Sequence, residues 1–221
     1  VPPDGYFAEI REICDRYEVL FIADEIITGF GRTGRMFAMD HWGVVPDIIA
    51  FGKAASSGYI PLGGVVISDK IRQVFSDGGE PFAHVFTYVN NPVAMRVCGT
   101  VLDIIAEEGV IEHVVEMGEY LAERAEGFKQ YACVGDVRSK GLMMGIELVR
   151  DKQTKTPFAA EEGMSARGMS LALERGLHIS GVPGVADLVR GDDLRFYPPL
   201  VITREQLGET LDIIDEVLGK L

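Results

Sequence analysis

The sequence is short of positive charge, of cysteine and of long apolar runs. Lys and Arg number 21 against 34 Asp and Glu, a formal net charge of −13. Phosphate backbones require a basic face, so nucleic acid is excluded as a partner. No apolar run approaches the ~20 residues that span a bilayer, so no membrane partner is expected; no basic-then-apolar leader is read in these residues, so secretion is not expected. The three cysteines, Cys14, Cys98 and Cys133, are isolated and odd in number. They show neither metal spacing nor a disulfide framework, and they read as small apolar residues in a reducing compartment, with the cytoplasm as the expected location. His41, His84, His113 and His178 are scattered without metal spacing. The lone Trp42 reads as packing. There is no internal repeat. A hydrophobic content of 47% and a charged content of 25% describe an ordinary globular chain, and 221 residues suffice for one large domain or two small ones.

Helical and strand patterns alternate in the first half. Phe7, Ile10, Ile13, Cys14 and Tyr17 stand at helical spacing. VLFIA (19–23) follows as a continuous apolar run, which suits a strand covered on both faces. DIIAFG (47–52) and GGVVIS (63–68) are further strands, the last followed by a helix led by Asp69. This alternation marks an α/β sheet. Helices are expected from Pro92 to about Glu107 and, after the break at Gly109, from Val110 to about Phe128. The character then changes. Residues 137–149 read as a hairpin or adjacent strands, 161–175 as a helix, 176–180 as a short strand, and DLRFYPPLVIT as a strand and turn. Arg204 to Leu218 is an amphipathic closing helix with Thr203 as its N-cap. The expected division is an α/β part over 1–105 and a smaller α+β part over 106–221.

Residues 24–34, DEIITGFGRTG, contain G-x-G-x-x-G through Gly29, Gly31 and Gly34. A dinucleotide-binding turn needs its first glycine directly after a strand and its last at the start of a helix. Here five residues separate Ala23 from Gly29, and RMFAMDHWGVVPD after Gly34 shows no long amphipathic helix. The match is read as fortuitous. The glycines instead let backbone approach backbone.

Asp24 and Lys53 each close an apolar strand, the place where open α/β sheets hold ligands. Charged groups there are costly unless paired or used. The plain alternative is a loop acid or cap at 24 and an exposed loop lysine at 53. One cofactor calls for both groups: pyridoxal phosphate needs a lysine for its Schiff base and an acid to keep its pyridine nitrogen protonated.

DEIITGFGRTG, PDIIAFGKAASSGYIPLGG and HVFTYVNNPVA, followed by KGLMMGIEL (140–148) and YPPLVIT (197–203), resemble in order the class III aminotransferases. These are pyridoxal-phosphate enzymes of fold type I, and the resemblance covers nearly the whole chain. SGYIPLGG resembles the ω-transaminase branch. The resemblance implies part of a large domain, a mostly parallel sheet with flanking helices, joined to a small α+β C-terminal domain.

It also implies roles. Asp24 would pair with the pyridine nitrogen and Ile26 would pack on the ring. Ile27 stands where many members carry a Gln that reaches the cofactor's phenolic oxygen. Lys53 would bind the cofactor and, once released, move the proton. Thr87 would hold the cofactor phosphate, supplied across the interface of a homodimer. Val85 and Val89-Asn90-Asn91 depart from the family text around it. Arg190, with Arg195 as its competitor, is near the position that takes a substrate carboxylate, and a solvated surface arginine is the plain alternative. Arg32 and Arg35 are read as structural or interfacial. The implied reaction is ping-pong transfer from an amine or ω-amino acid to a keto acid such as pyruvate. An aminomutase or a decarboxylating transaminase on the same scaffold is the rival reaction, and a non-catalytic fragment the rival of another class.

The chain begins at Val1 and runs at once into a helix and a strand, which reads as a piece of a longer protein. The family's phosphate-cradling Gly-Ser/Thr turn and ring-stacking aromatic are not in it. The expectation is that these residues alone bury their core incompletely and bind the cofactor poorly.

Overall fold

The first two apolar runs pair side by side in the same direction, which brings their carboxyl ends to one edge. A computed structural model describes residues 1–79 and 81–221. They form two compact units, Pro2–Ile111 and Glu112–Leu221.

In the first unit, α1 (Tyr6–Arg16) leads into β1 (Ile22–Asp24), β2 (Ile48–Phe51) and β3 (Gly64–Ile67), then α2 (Asp69–Gly78) and α3 (Pro92–Glu107). β1 runs parallel to β2 with Asp24 opposite Ala50, and β3 pairs antiparallel to β2 with Gly64 opposite Phe51. Gly64 leaves room for the Phe51 ring: a Cβ would stand 2.6 Å from it and the ring would have to move. Asp47 ties α1 to the sheet. Its Oδ2 accepts from Arg11 Nη1 at 2.8 Å and from the Phe21 N–H at 2.8 Å. Phe7 packs edge-on to Trp42, with ring centroids 4.7 Å apart, so this tryptophan does serve packing. Asn91 caps α3 through the N–H groups of Val93 and Ala94, with Pro92 at the first helical position.

Two expectations change here. The strand read over 19–23 is shorter and later, Ile22–Asp24. It is also not covered on both faces, since Ile22 is 59% exposed. Val65, Val66 and Ile67 of β3 are exposed as well.

The second unit is a sheet with helices, built from α4 (Val110–Glu126, whose first two residues belong to the first unit), β4 (Val134–Ser139), β5 (Met144–Asp151), β6 (Thr156–Pro157), α5 (Met164–Leu173), β7 (Ser180–Pro183), β8 (Asp192–Phe196) and α6 (Arg204–Leu218). The strand order is β4-β5-β8-β7, with β6 on β5, and every pairing is antiparallel. Alternate residues face the core: Met144, Ile146 and Leu148 from β5, Leu194 and Phe196 from β8. Val114 and Leu121 of α4 and Leu207, Leu211, Ile214 and Leu218 of α6 supply the helical side. Each such side chain is worth ~1.5–3 kcal/mol when fully buried. Gly118 of α4 admits the turn at Gly141, because a Cβ would stand 2.7 Å from the Gly141 Cα.

The strand expected at 176–180 lies instead at Ser180–Pro183, and β6 had no sequence signal. The cap on α6 is as expected: Thr203 Oγ1 accepts from Gln206 N at 3.2 Å, and Gln206 Oε1 accepts from Thr203 N at 3.1 Å.

Candidate active site

The parallel pairing of β1 and β2 sets Asp24 and Lys53 at the carboxyl ends of neighbouring strands. Asp24 ends β1 and is exposed. Its Oδ1 accepts the N–H of Ile26 at 3.1 Å. This two-residue turn fixes the carboxylate on its own backbone. Lys53 follows β2 by two residues and opens a short 3-10 turn, Lys53–Ser56, with its side chain exposed. Its φ is +42°, and Ser57 at the other end of the turn has φ +49°. Non-glycine residues in this region carry backbone strain and cluster at functional sites. Ile26 joins the two strand ends: its Cγ2 lies 3.7 Å from where a Cβ on Gly52 would stand.

The glycine stretch folds as a turn and not as a nucleotide cradle. Gly29 N donates to the Glu25 carbonyl at 2.9 Å, and a Cβ on Gly29 would meet that oxygen at 2.8 Å. Gly31 and Gly34 have φ of +94° and +85°, which glycine alone adopts freely. The helical element after Gly34 is only a 3-10 turn, Ala38–His41. The absence of a strand-turn-helix excludes the dinucleotide reading.

Glu25 was not singled out from the sequence. It is 2% exposed, and its carboxylate accepts from Met39 N at 2.9 Å, from Ala38 N at 3.0 Å and from the Thr28 hydroxyl. Its only sequence signal is its parity: next to Asp24 on an extended segment, it must face the opposite way.

Thr87 is exposed in a turn over 87–90, closed by Val89 N donating to the Phe86 carbonyl at 3.0 Å. Among the described residues no hydrogen bond joins it to Asp24 or Lys53. Arg190 belongs to the second unit. It lies in the loop between β7 and β8, where its Nε donates to Asp187 Oδ2 at 2.7 Å and its N–H to Asp187 Oδ1 at 2.6 Å. Arg195 is on β8 with its Nε 2.8 Å from Asp193 Oδ2. The described residues hold no cluster of His, Cys, Asp or Glu suited to a metal ion. The cysteines are free, and burial pushes the Cys133 thiol up from its ordinary value, so it is not an activated nucleophile.

The family model for aminotransferase class-III matches residues 1–218. The putrescine–pyruvate aminotransferase of Pseudomonas aeruginosa is 39% identical over 221 residues, covering 100% of this chain and 46% of that protein. A thermostable (S)-enantioselective omega-transaminase from Thermomicrobium roseum superposes with a TM-score of 0.90 at 37% identity, covering 100% of this chain and 47% of its own. The taurine:2-oxoglutarate aminotransferase from Bifidobacterium kashiwanohense, solved in complex with PLP and glutamate, gives 0.91 at 33% identity, covering 100% and 48%. This chain thus spans about half the length of the relatives it matches.

Pyridoxal phosphate is the cofactor of class III aminotransferases. The residues present fit it: an acid held by its own backbone, an amine just past the neighbouring strand end, and an apolar side chain, Ile26, against Gly52 beside that amine. A family match over nearly the whole length, and solved transaminases that superpose along all of it, lead to one conclusion: this chain belongs to the class III aminotransferases and is ω-transaminase-like.

Proposed function

We propose that the protein moves an amino group from an amine or ω-amino acid to a keto acid such as pyruvate, in two half-reactions of a ping-pong cycle. The observation that carries this is the placement of Asp24 and Lys53 at the carboxyl ends of adjacent parallel strands. Bound pyridoxal phosphate supplies a carbonyl carbon for the amino group and a ring that withdraws electrons. The chain's own residues do the rest. Asp24, its Oδ1 anchored on Ile26, presents a carboxylate that keeps a pyridine nitrogen protonated. Lys53 holds the cofactor and afterwards carries the proton between carbon atoms. Ile26 packs on the ring. Thr87 donates its hydroxyl to the phosphate of a partner subunit in a homodimer, which agrees with its exposure. Arg190 takes a substrate carboxylate by exchanging it for Asp187. Three free thiols agree with a cytoplasmic protein.

The relatives' names point to different acceptors, pyruvate in one and 2-oxoglutarate in another. Pyruvate is the acceptor proposed, and a comparison of both with putrescine as donor tests it.

The experiment on the chemistry is a borohydride reduction of the protein with pyridoxal phosphate, followed by digestion and mass spectrometry. A pyridoxyl group confined to Lys53 is the expected result. Label spread over surface lysines, or none, overturns the reading. Lys53→Ala abolishes both label and turnover, and Asp24→Asn leaves the label but lowers turnover by a factor on the order of 10² or more.

A further inference from the structure

Asp24 and Glu25 are adjacent acids with opposite fates, one exposed and one 2% exposed. Among the described residues no cation pairs with Glu25. A buried carboxylate without a cation is costly, and here three donors offset that cost. Two of them, the N–H groups of Ala38 and Met39, come from the far side of the glycine turn, 13 and 14 residues on. The third, the Thr28 hydroxyl, comes from its near side. The Glu25 backbone is fixed as well: its N–H donates to the Ala50 carbonyl at 2.9 Å, three residues before Lys53, and its carbonyl accepts from Gly29. The segment bearing Asp24 and Ile26 is therefore pinned from the face opposite the site.

We propose that Glu25 is a positioning residue for the cofactor site, which rests on the aminotransferase reading. Its buried carboxylate clamps the turn 28–39 to the end of β1 and so fixes the direction of the Asp24 carboxylate and the Ile26 side chain. The backbone N–H groups of Ala38 and Met39 can only donate, one to each oxygen of Glu25, so both oxygens must accept. Glutamine offers one oxygen and one NH₂ group, and that NH₂ must then confront a donor it cannot accept from. Thr28→Val removes a single donor and leaves the carboxylate bonded to Ala38 and Met39.

The test uses the protein as it is made in its own cell, with whatever chain flanks these residues, loaded with pyridoxal phosphate. The measurements are cofactor affinity, the visible absorption band and the pH midpoint of that band. Glu25→Gln is expected to weaken cofactor binding about tenfold or more, the loss of one charge-assisted hydrogen bond, and to move the pH midpoint. Thr28→Val is expected to move both in the same direction by less. A Glu25→Gln variant that melts earlier but keeps the parent's affinity and midpoint overturns the proposal, because the clamp would then be structural only. If Glu25→Gln does not fold, Thr28→Val decides: an unchanged midpoint and affinity overturn it. A parent protein with no visible band and no label on Lys53 overturns the aminotransferase reading itself and this inference with it.

Discussion

The two units of the chain divide their labour unequally. Among the described residues, every one of the largest fully buried side chains lies between Glu112 and Leu221, from Val114 to Leu218. The first unit carries the acid–amine pair, yet it leaves Ile22, Val65, Val66, Val85 and Phe86 exposed. Its order rests more on polar ties: Asp47 to Arg11 and Phe21, Glu25 to the glycine turn, Asn91 to α3. An area-driven core tolerates surface change and resists dissection. A unit held by individual hydrogen bonds is sensitive to each one, to pH above all.

The sharpest way to break this comparison is to truncate one aliphatic side chain in each unit. Leu211 of α6 is 0% exposed, so Leu211→Ala is expected to cost ~2–5 kcal/mol by lost transfer energy and a residual cavity. Val66 of β3 is 51% exposed, and Val66→Ala is expected to stay within ~0.5 kcal/mol. Denaturant unfolding with amide exchange reads both units. A Val66→Ala cost matching that of Leu211→Ala would show that this face of β3 is covered in solution.

Next in size is the polar tie. Asp47 is held below the usual carboxylate range, first by the Phe21 N–H and then by Arg11. The side chains of Arg11 and Asp47 are 19% and 12% exposed, so the pair is largely shielded. A lowered carboxyl value contributes stability above the unfolded value of ~3.9, and that stability is lost as pH falls through the folded value. The first unit is therefore expected to lose exchange protection below about pH 4. Asp47→Asn removes the ion pair at neutral pH at a cost of ~2 kcal/mol and flattens the acid response. Carboxylates lowered in the second unit, Asp151, Glu162 and Asp187, lie at its surface, and their titration is expected to change little.

The same contrast explains what the sequence made legible. In the second unit, pattern and packing agree: the 3.6-residue period of Leu207, Leu211, Ile214 and Leu218 is the core face of α6, and the Thr203 cap is where its residue type says. The misplacement of β7 arose because Leu177 and Ile179 are apolar, whereas the strand is defined by pairing to β8, with Ser180 opposite Arg195 and Pro183 opposite Asp192. A strand containing Gly181 and Pro183 has no local signature. In the first unit Asp24 and Lys53 stand out in the sequence because they interrupt apolar runs, and the proposed site rests on their placement at neighbouring strand ends. Burial was not legible, because the hydrophobicity of VLFIA anticipates a covered strand and Ile22 is exposed. Glu25 has no local signature because the two backbone N–H groups that hold its carboxylate are 13 and 14 residues away.

The smallest effect contrasts one helix start from each unit. Thr203 accepts from Gln206 N, so Thr203→Ala is expected to cost ~1 kcal/mol in thermal or denaturant unfolding. Ser68 precedes α2 in the same way and has a residue type suited to capping, but it makes no side-chain cap. Its buried Oγ has no partner among the described residues. Ser68→Ala deletes an unsatisfied hydroxyl rather than a bond, so stability should be unchanged or raised by a few tenths of a kcal/mol. A cost near that of Thr203→Ala would mean that Ser68 caps α2 in solution, and α2 would then join the polar ties that hold the first unit together.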